Sequence, residues 1–293
     1  MKKFLFWFMA LLITLLAAYY QRKTGPTYPK RTAIEVNDSS WSLRLVRSLG
    51  LDERSEVRLA VQDTSAKATL YYRRFPTNDK FQAVDFSYKT YPVDSKFMNK
   101  VFKIYEEKGF YAPIPQQPAA GKIEYYFSVT DSKGTREYFR DEPVVIRFKG
   151  TVPGYILGPH ILIMFLAMLF STLAGLMSVF KYKSYKKYAV WTLVLLLIGG
   201  MILGPLVQLH AFGELWTGVP FGWDLTDNKT LIAFVFWILA VVMNRKQDRP
   251  AFVALAAIVL LLVYSIPHSM FGSQLNYESG SVTQGIIMSF FPG

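Results

Sequence analysis

The sequence predicts an α-helical membrane bundle of five spans, with an all-β sandwich domain inserted after the first span. Three observations carry this reading. Long apolar runs occupy residues 4–20 and most of 151–268, whereas residues 22–150 hold 23 of the 33 Lys+Arg and 16 of the 21 Asp+Glu. The intervening polar segment alternates in the manner of strands. The two short loops between apolar runs and the N-terminal Lys2-Lys3 are basic, as the cytoplasmic loops of membrane proteins are, and together they outweigh Arg22, Lys23, Lys30 and Arg31 on the other side. With 52% hydrophobic and 18% charged residues, the whole chain fits neither a disordered protein nor a single water-soluble globule.

The first element is the apolar run Phe4–Tyr20 behind Lys2 and Lys3. It reads as a signal peptide or an uncleaved anchor. Leu16-Ala17-Ala18 supplies only half of a cleavage site, and the run approaches the ~20 residues needed to cross ~30 Å of hydrocarbon, so residues 1–21 are expected to be an anchor.

From residue 29 to 150 the signals are those of strands. Val57–Val61, Ala68–Tyr72, Ile123–Thr130 and Val144–Phe148 alternate or are rich in β-branched and aromatic residues, and Asp131-Ser132-Lys133-Gly134 is a turn. The stretch from Ile114 to Tyr126 resembles the late strands of bacterial immunoglobulin-like or fibronectin-type-III-like domains, which implies an extracytoplasmic sandwich and no particular activity. The net charge of +7 over residues 22–150 is scattered, with no basic tract carrying interleaved aromatics, so nucleic acid is not an expected partner.

Four further apolar segments follow, Ile156–Val179, Ala189–Leu209, about Asp227–Met243 and Ala251–Ile266, making a membrane domain over residues 154–268. The loops 181–187 and 245–249 are short and basic and are expected in the cytoplasm together with Lys2 and Lys3. The N-terminus is then inside a bacterial-type inner membrane. The β-domain, the loop 210–228 and the tail 269–293 lie outside. Gly200 with Gly204, and Ser171 with Gly175, have the four-residue spacing that lets helices approach closely.

Chemistry-bearing residues are few. The chain has no Cys, which removes disulfides, thiolate metal sites and covalent c-type haem attachment. No hydrolase, zinc-protease or nucleotide-binding motif is present. Asn37-Asp38-Ser39 and Asn228-Lys229-Thr230 match the glycosylation triplet, a frequent pattern. The three histidines, His160, His210 and His268, all fall near the outer ends of spans, where an imidazole is costly unless it caps a helix or serves a site. Pro159 is expected to open its helix, which puts His160 in the first turn and favours its neutral, ligand-competent form. Pro267 is expected to re-aim His268. Between the third and fourth spans, loop 210–228 contains Trp216, Trp223, Phe212, Phe221 and three glycines, a flat apolar surface suited to a planar ligand or to the headgroup belt. Asp227 or Thr226 is the expected N-cap of the next helix.

Several of these segments resemble the haem-handling membrane proteins of cytochrome c maturation, which carry an external tryptophan-rich loop between histidine-bearing spans. Phe212-Gly213-Glu214-Leu215-Trp216 is similar to the first half of that loop, Gly222-Trp223-Asp224 to the second, and Thr230-Leu231-Ile232 to the helix start after it. Gly158-Pro159-His160 resembles the upstream histidine segment and Pro267-His268-Ser269-Met270-Phe271-Gly272 the downstream one. Phe212 stands where the family has its first Trp, and about four extra residues separate Trp216 from Trp223. The resemblance implies haem as cofactor, His160 and His268 as its axial ligands, a platform of Trp216, Trp223 and Asp224, and cytochromes among the partners. His210 has no counterpart. A non-enzymatic envelope subunit, anchored by its helices and binding a partner through the β-domain, is the alternative. A transporter or sensor is a third reading, and the spans are expected to contain no buried acidic residue or charge relay to support it.

Overall fold

The computed structural model describes residues 2–267 and 273–283. The chain divides into two compact units, one of residues 1–26 and 150–293, the other of residues 27–149.

The helical unit contains α1 (Lys2–Thr24), α2 (Gly154–Val179), α3 (Tyr185–Leu196), α4 (Gly204–Phe212), α5 (Leu225–Met243) and α6 (Pro250–Ser265). A π-helical segment, Leu197–Leu203, joins α3 to α4 without a break. Four helices are long and apolar enough to cross a membrane: α1, α2, the continuous helix 185–212, and α5. Helix α6 has 16 residues, about 24 Å at the α-helical rise.

Helix α1 buries Phe6, Ala10, Thr14 and Ala17, a single stripe at helical spacing, and leaves apolar side chains such as Phe4, Phe8, Leu12 and Leu16 exposed. Its stripe joins the core of the bundle, with Leu173 and Met177 of α2, Trp237 of α5 and Leu260 of α6. Gly175 permits a close approach of α2 to α6, since a Cβ there would meet Ala257 Cβ at 2.5 Å.

The basic segments gather at one end of this unit. Lys3 lies over the Tyr182 ring at 5.9 Å and Phe6 packs on the same ring, while Lys186 pairs with Asp248 across the two loops. Buried Asn244 locks that end: it accepts from the Tyr185 hydroxyl (2.8 Å) and the Arg249 amide (2.8 Å) and donates to the Ala240 and Arg249 carbonyls. At the opposite end, Lys229 Nζ donates to the Ile266 carbonyl (2.6 Å) and Gly150 N to the Ala211 carbonyl (2.9 Å). Helix α6 therefore runs from the Asn244 end of the unit to the level of Lys229 in α5.

Two expectations about helix starts are corrected. Helix α2 begins at Gly154, so Pro159 is its sixth residue and His160 lies in the second turn. The N-cap of α5 is Asp224, not Asp227 or Thr226. Its Oδ1 accepts from the amides of Thr226 (2.8 Å) and Asp227 (3.2 Å), satisfying two of the donors that a helix start leaves open.

The β unit holds β1 (Lys30–Val36), β2 (Ser39–Leu45), β3 (Ser48–Gly50), β4 (Glu56–Leu59), β5 (Lys67–Arg74), β6 (Gln82–Asp85), β7 (Ser87–Pro92), β8 (Glu106–Pro113), β9 (Lys122–Asp131), β10 (Gly134–Tyr138) and β11 (Val144–Lys149). One sheet runs β3-β11-β9-β5-β6, with β10 also on β9; a second runs β4-β8-β7. All pairs are antiparallel except β3 with β11. Inward residues of both sheets, among them Val57, Leu59, Leu70, Phe110, Tyr125, Phe127 and Ile146, form one core. The expected strands are present, and Asp131–Gly134 makes the β9–β10 turn.

The hairpin β1–β2 was not legible in the sequence. Asn37 and Asp38 both have positive φ (46° and 65°), the backbone that a tight two-residue turn demands. Asn37 Nδ2 donates to Asp63 Oδ2 (2.7 Å) and Ser65 Oγ (3.0 Å), so its amide is engaged inside the fold and the triplet there is a turn. In the tail, β12 (Gln274–Leu275) and β13 (Val282–Thr283) form a short hairpin.

Candidate functional site: His160 and the tryptophan loop

His160 is set against the π-helical segment. Pro205 has no amide hydrogen and cannot continue the ordinary ladder, and the chain widens just before it. The Gly199 carbonyl then accepts from the Gly204 amide five residues on. It also lies 2.9 Å from His160 Nδ1. A carbonyl only accepts, so Nδ1 carries the proton and a neutral His160 keeps its lone pair on Nε2. Gly199 is needed at this contact: a Cβ would come within 2.8 Å of Ile163 Cγ2 and 3.1 Å of Met164 Sδ. At the next residue, a Cβ on Gly200 would come within 2.8 Å of Thr230 Cγ2, so α2, the π segment and α5 meet here.

His160 lies further along its helix than the sequence suggested. Its partner Gly199 stands eleven residues before His210, about 16 Å along the helix, and His210 is exposed near the helix end. The dipole argument for a first-turn imidazole lapses, because that field fades beyond the first turn. The hydrogen bond to Gly199 takes over the role of fixing the tautomer. His268 lies outside the described residues, so its relation to His160 is not on view.

The tryptophan loop is fastened to the first turn of α5. Asp227 Oδ2 accepts from the Thr217 amide (2.6 Å) and hydroxyl (3.2 Å), Asn228 Oδ1 from the Val219 amide (2.8 Å), and the Asp224 amide donates to the Thr217 carbonyl (3.0 Å). Gln208 of α4 donates to Thr217 Oγ1 (2.7 Å), tying the loop to the helix before it. Gly218 sits so close that a Cβ would approach Asp227 Cβ to 2.7 Å. Trp216 is half-buried with Nε1 donating to the Val219 carbonyl (3.1 Å). Trp223 and Phe221 project outward, 63% and 81% exposed.

Asp224, Asp227 and Lys229 are all buried. The expectation that the spans hold no buried acidic residue is corrected at Asp227, which the sequence suggested only as a cap, while Lys229 stood out only within a glycosylation triplet. The signal was present in Thr226-Asp227-Asn228-Lys229, four polar residues opening an otherwise apolar span. Lys229 braces the end of α6 through Ile266, and Asp224 is spent on capping, so both act on this site by holding its elements in place. Among the described residues no three His, Asp or Glu side chains gather as a metal-binding group.

Comparison of the chain with protein-family models, with curated proteins and with solved structures finds no match. The reading of function rests on the residues themselves.

Proposed function

We propose that the chain is an integral membrane protein that binds haem near the outer face of a bacterial-type inner membrane, with His160 as an axial ligand. The observation that carries the reading is the His160 Nδ1 hydrogen bond to the Gly199 carbonyl. Metal-binding imidazoles characteristically donate their second ring nitrogen to a carbonyl or carboxylate, which fixes the ring and leaves the other nitrogen as the donor to iron. In this reading His160 and His268 would hold the iron, Trp216 and Trp223 would offer flat apolar surface, and Asp224 would contribute by shaping the loop. Haem would supply reversible one-electron chemistry or be cargo in transit; the protein residues hold and orient it.

Five crossings of the bilayer, with the N-terminus inside, are part of the same proposal. The clustering of Lys3, loop 181–187 and loop 245–249 at one end of the helical unit supports a shared cytoplasmic side. The outward apolar side chains of α1 suit lipid. For the β unit, the orders β11-β9-β5 and β4-β8-β7 support an immunoglobulin-like reading, in which they would take the places of strands G-F-C and B-E-D. That strand order also supports a second reading, an envelope subunit that scaffolds a membrane complex through this domain.

The deciding experiment is an absorption spectrum of the full chain purified in detergent after expression with haem supplied. Wild type should show a Soret band and near-stoichiometric iron. His160→Ala and His268→Ala should each lose most bound haem or shift to a five-coordinate spectrum, whereas His210→Ala should match wild type. A wild-type protein without haem, or a His160→Ala spectrum unchanged from wild type, rejects the haem reading.

A further inference from the structure

The loop between β7 and β8 is a closed knob with its apolar side chains outward. Residues 93–105 are cinched by the Val93 amide donating to the Tyr105 carbonyl (2.8 Å). Inside, Ser95 organises a turn: its carbonyl accepts from the Asn99 amide (3.0 Å) and its hydroxyl from the Met98 amide (3.3 Å). A short π turn, Met98–Phe102, follows, stopped by Lys103 in the left-handed region (φ 55°). The knob is therefore ordered by its own hydrogen bonds.

What it displays is unusual for a water-facing surface. Phe97 is 64%, Phe102 58% and Tyr105 60% exposed, with Val101 and Ile104 beside them. The Phe97 and Phe102 rings pack edge to face at 5.8 Å. Single exposed apolar residues are ordinary, but five within nine residues on one knob mark a binding surface. Lys96, Lys100 and Lys103 stand among them against the single acid Asp94, and no carboxylate pairs with any of the three lysines among the described residues.

We propose that this knob is the docking surface for a protein partner that offers an apolar pocket rimmed by Asp and Glu. The aromatic pair supplies anchors of the kind that dominate interface energy, and the unpaired lysines select an acidic rim. Aromatic and Lys residues also suit a lipid interface, but the connectivity favours protein. Strand β8 runs from the knob at Glu106 to Pro113, whose neighbouring residues Ile114 and Gln116 bond to Ser55 and Leu51; Leu51 in turn donates to Lys149. The knob thus lies at the opposite end of the sheets from Lys149, the residue from which the chain leads into the apolar helix α2. This surface rests on the scaffold reading only for the existence of a partner and is independent of haem.

The test places the photo-crosslinking residue benzoylphenylalanine at Phe102, or at exposed Lys80 as control, in the full chain in intact cells. The expected result is one protein adduct from Phe102 and none from Lys80, with the crosslinked peptide carrying Asp or Glu among apolar residues. Its yield should fall at least fivefold in the triple variant Lys96→Glu, Lys100→Glu, Lys103→Glu, and less in the triple Gln variant, which also serves if charge reversal lowers the unfolding midpoint. An adduct to lipid, to a second copy of this chain, or insensitive to charge reversal overturns the proposal. So does the absence of any protein adduct while the chain still migrates in a larger complex, a result that would leave the scaffold reading standing.

Discussion

At the scale of single residues, two groups in the β unit carry a penalty that substitution should relieve. Tyr125 is fully buried and, among the described residues, its hydroxyl has no hydrogen-bond partner. Burying an unpaired hydroxyl costs about 1–3 kcal/mol, so Tyr125→Phe should leave stability unchanged or raise it by about 1 kcal/mol, read by urea unfolding. Lys122 is largely buried, and burial, with the nearby Arg147 charge, lowers its pKa to about 8. Its unfolded value is near 10.5, so the unfolded chain binds the extra proton between those pH values. Stability should accordingly rise from pH 8 to 10.5, by on the order of 2 kcal/mol, and stay flat below pH 8, where both states are charged. Lys122→Met should abolish that slope and raise stability at pH 7; an unchanged slope would reject Lys122 as its source.

At the scale of elements, Asn244 shows how one side chain closes a helical hairpin. Asn244→Ala would strand the buried Tyr185 hydroxyl and free the Arg249 amide and carbonyl, for a loss of roughly 2–3 kcal/mol, measurable as a lower unfolding midpoint in detergent. Tyr185→Phe with Asn244→Ala should cost less than the sum of the single changes, since the two share a bond. Elements of this kind were unevenly legible. Strands such as Ala68–Tyr72 and Ile123–Thr130 announce themselves by alternation and β-branched content. The π segment does not, because Leu197–Leu203 is apolar on every side and only Pro205 hints that the ladder must change. Pro159 misled for the opposite reason: proline is favoured in a first turn, yet the chain coils for five residues ahead of it. The His160–Gly199 contact joins residues 39 apart and follows from packing alone, so no spacing rule reveals it. The aromatic loop was visible as composition, whereas its clamps, Asp227 and Asn228, read as ordinary helix-start polarity.

For the whole molecule, the charge pattern makes the most exposed prediction. A reporter active only in the cytoplasm should give signal when fused at Ser184 or Gln247 and none at Lys133 or Thr217. The reverse pattern would reject the five-span arrangement and with it the placement of His160 toward the outer side. Residues 27–149 expressed alone should be soluble, strand-rich and cooperative in unfolding, since their core draws only on their own sheets; a helical spectrum would count against that.

The stripe of α1 that holds Phe6 and Ala10 has a consequence for how the protein is made. Its packing partners lie on α2 and α6, the first synthesised only after the whole β unit and the second near the end of the chain. If α1 inserts in a membrane as proposed, its stripe, with Thr14 as the buried polar side chain, waits for α6 while well over two hundred residues emerge. The bundle closes late, when α6 passes Gly175 and Ala257 meets it. A ribosome stalled before Pro250 would therefore hold a chain whose first helix has α2 but not yet α6 to pack against, which makes α6 the late step in closing this stripe.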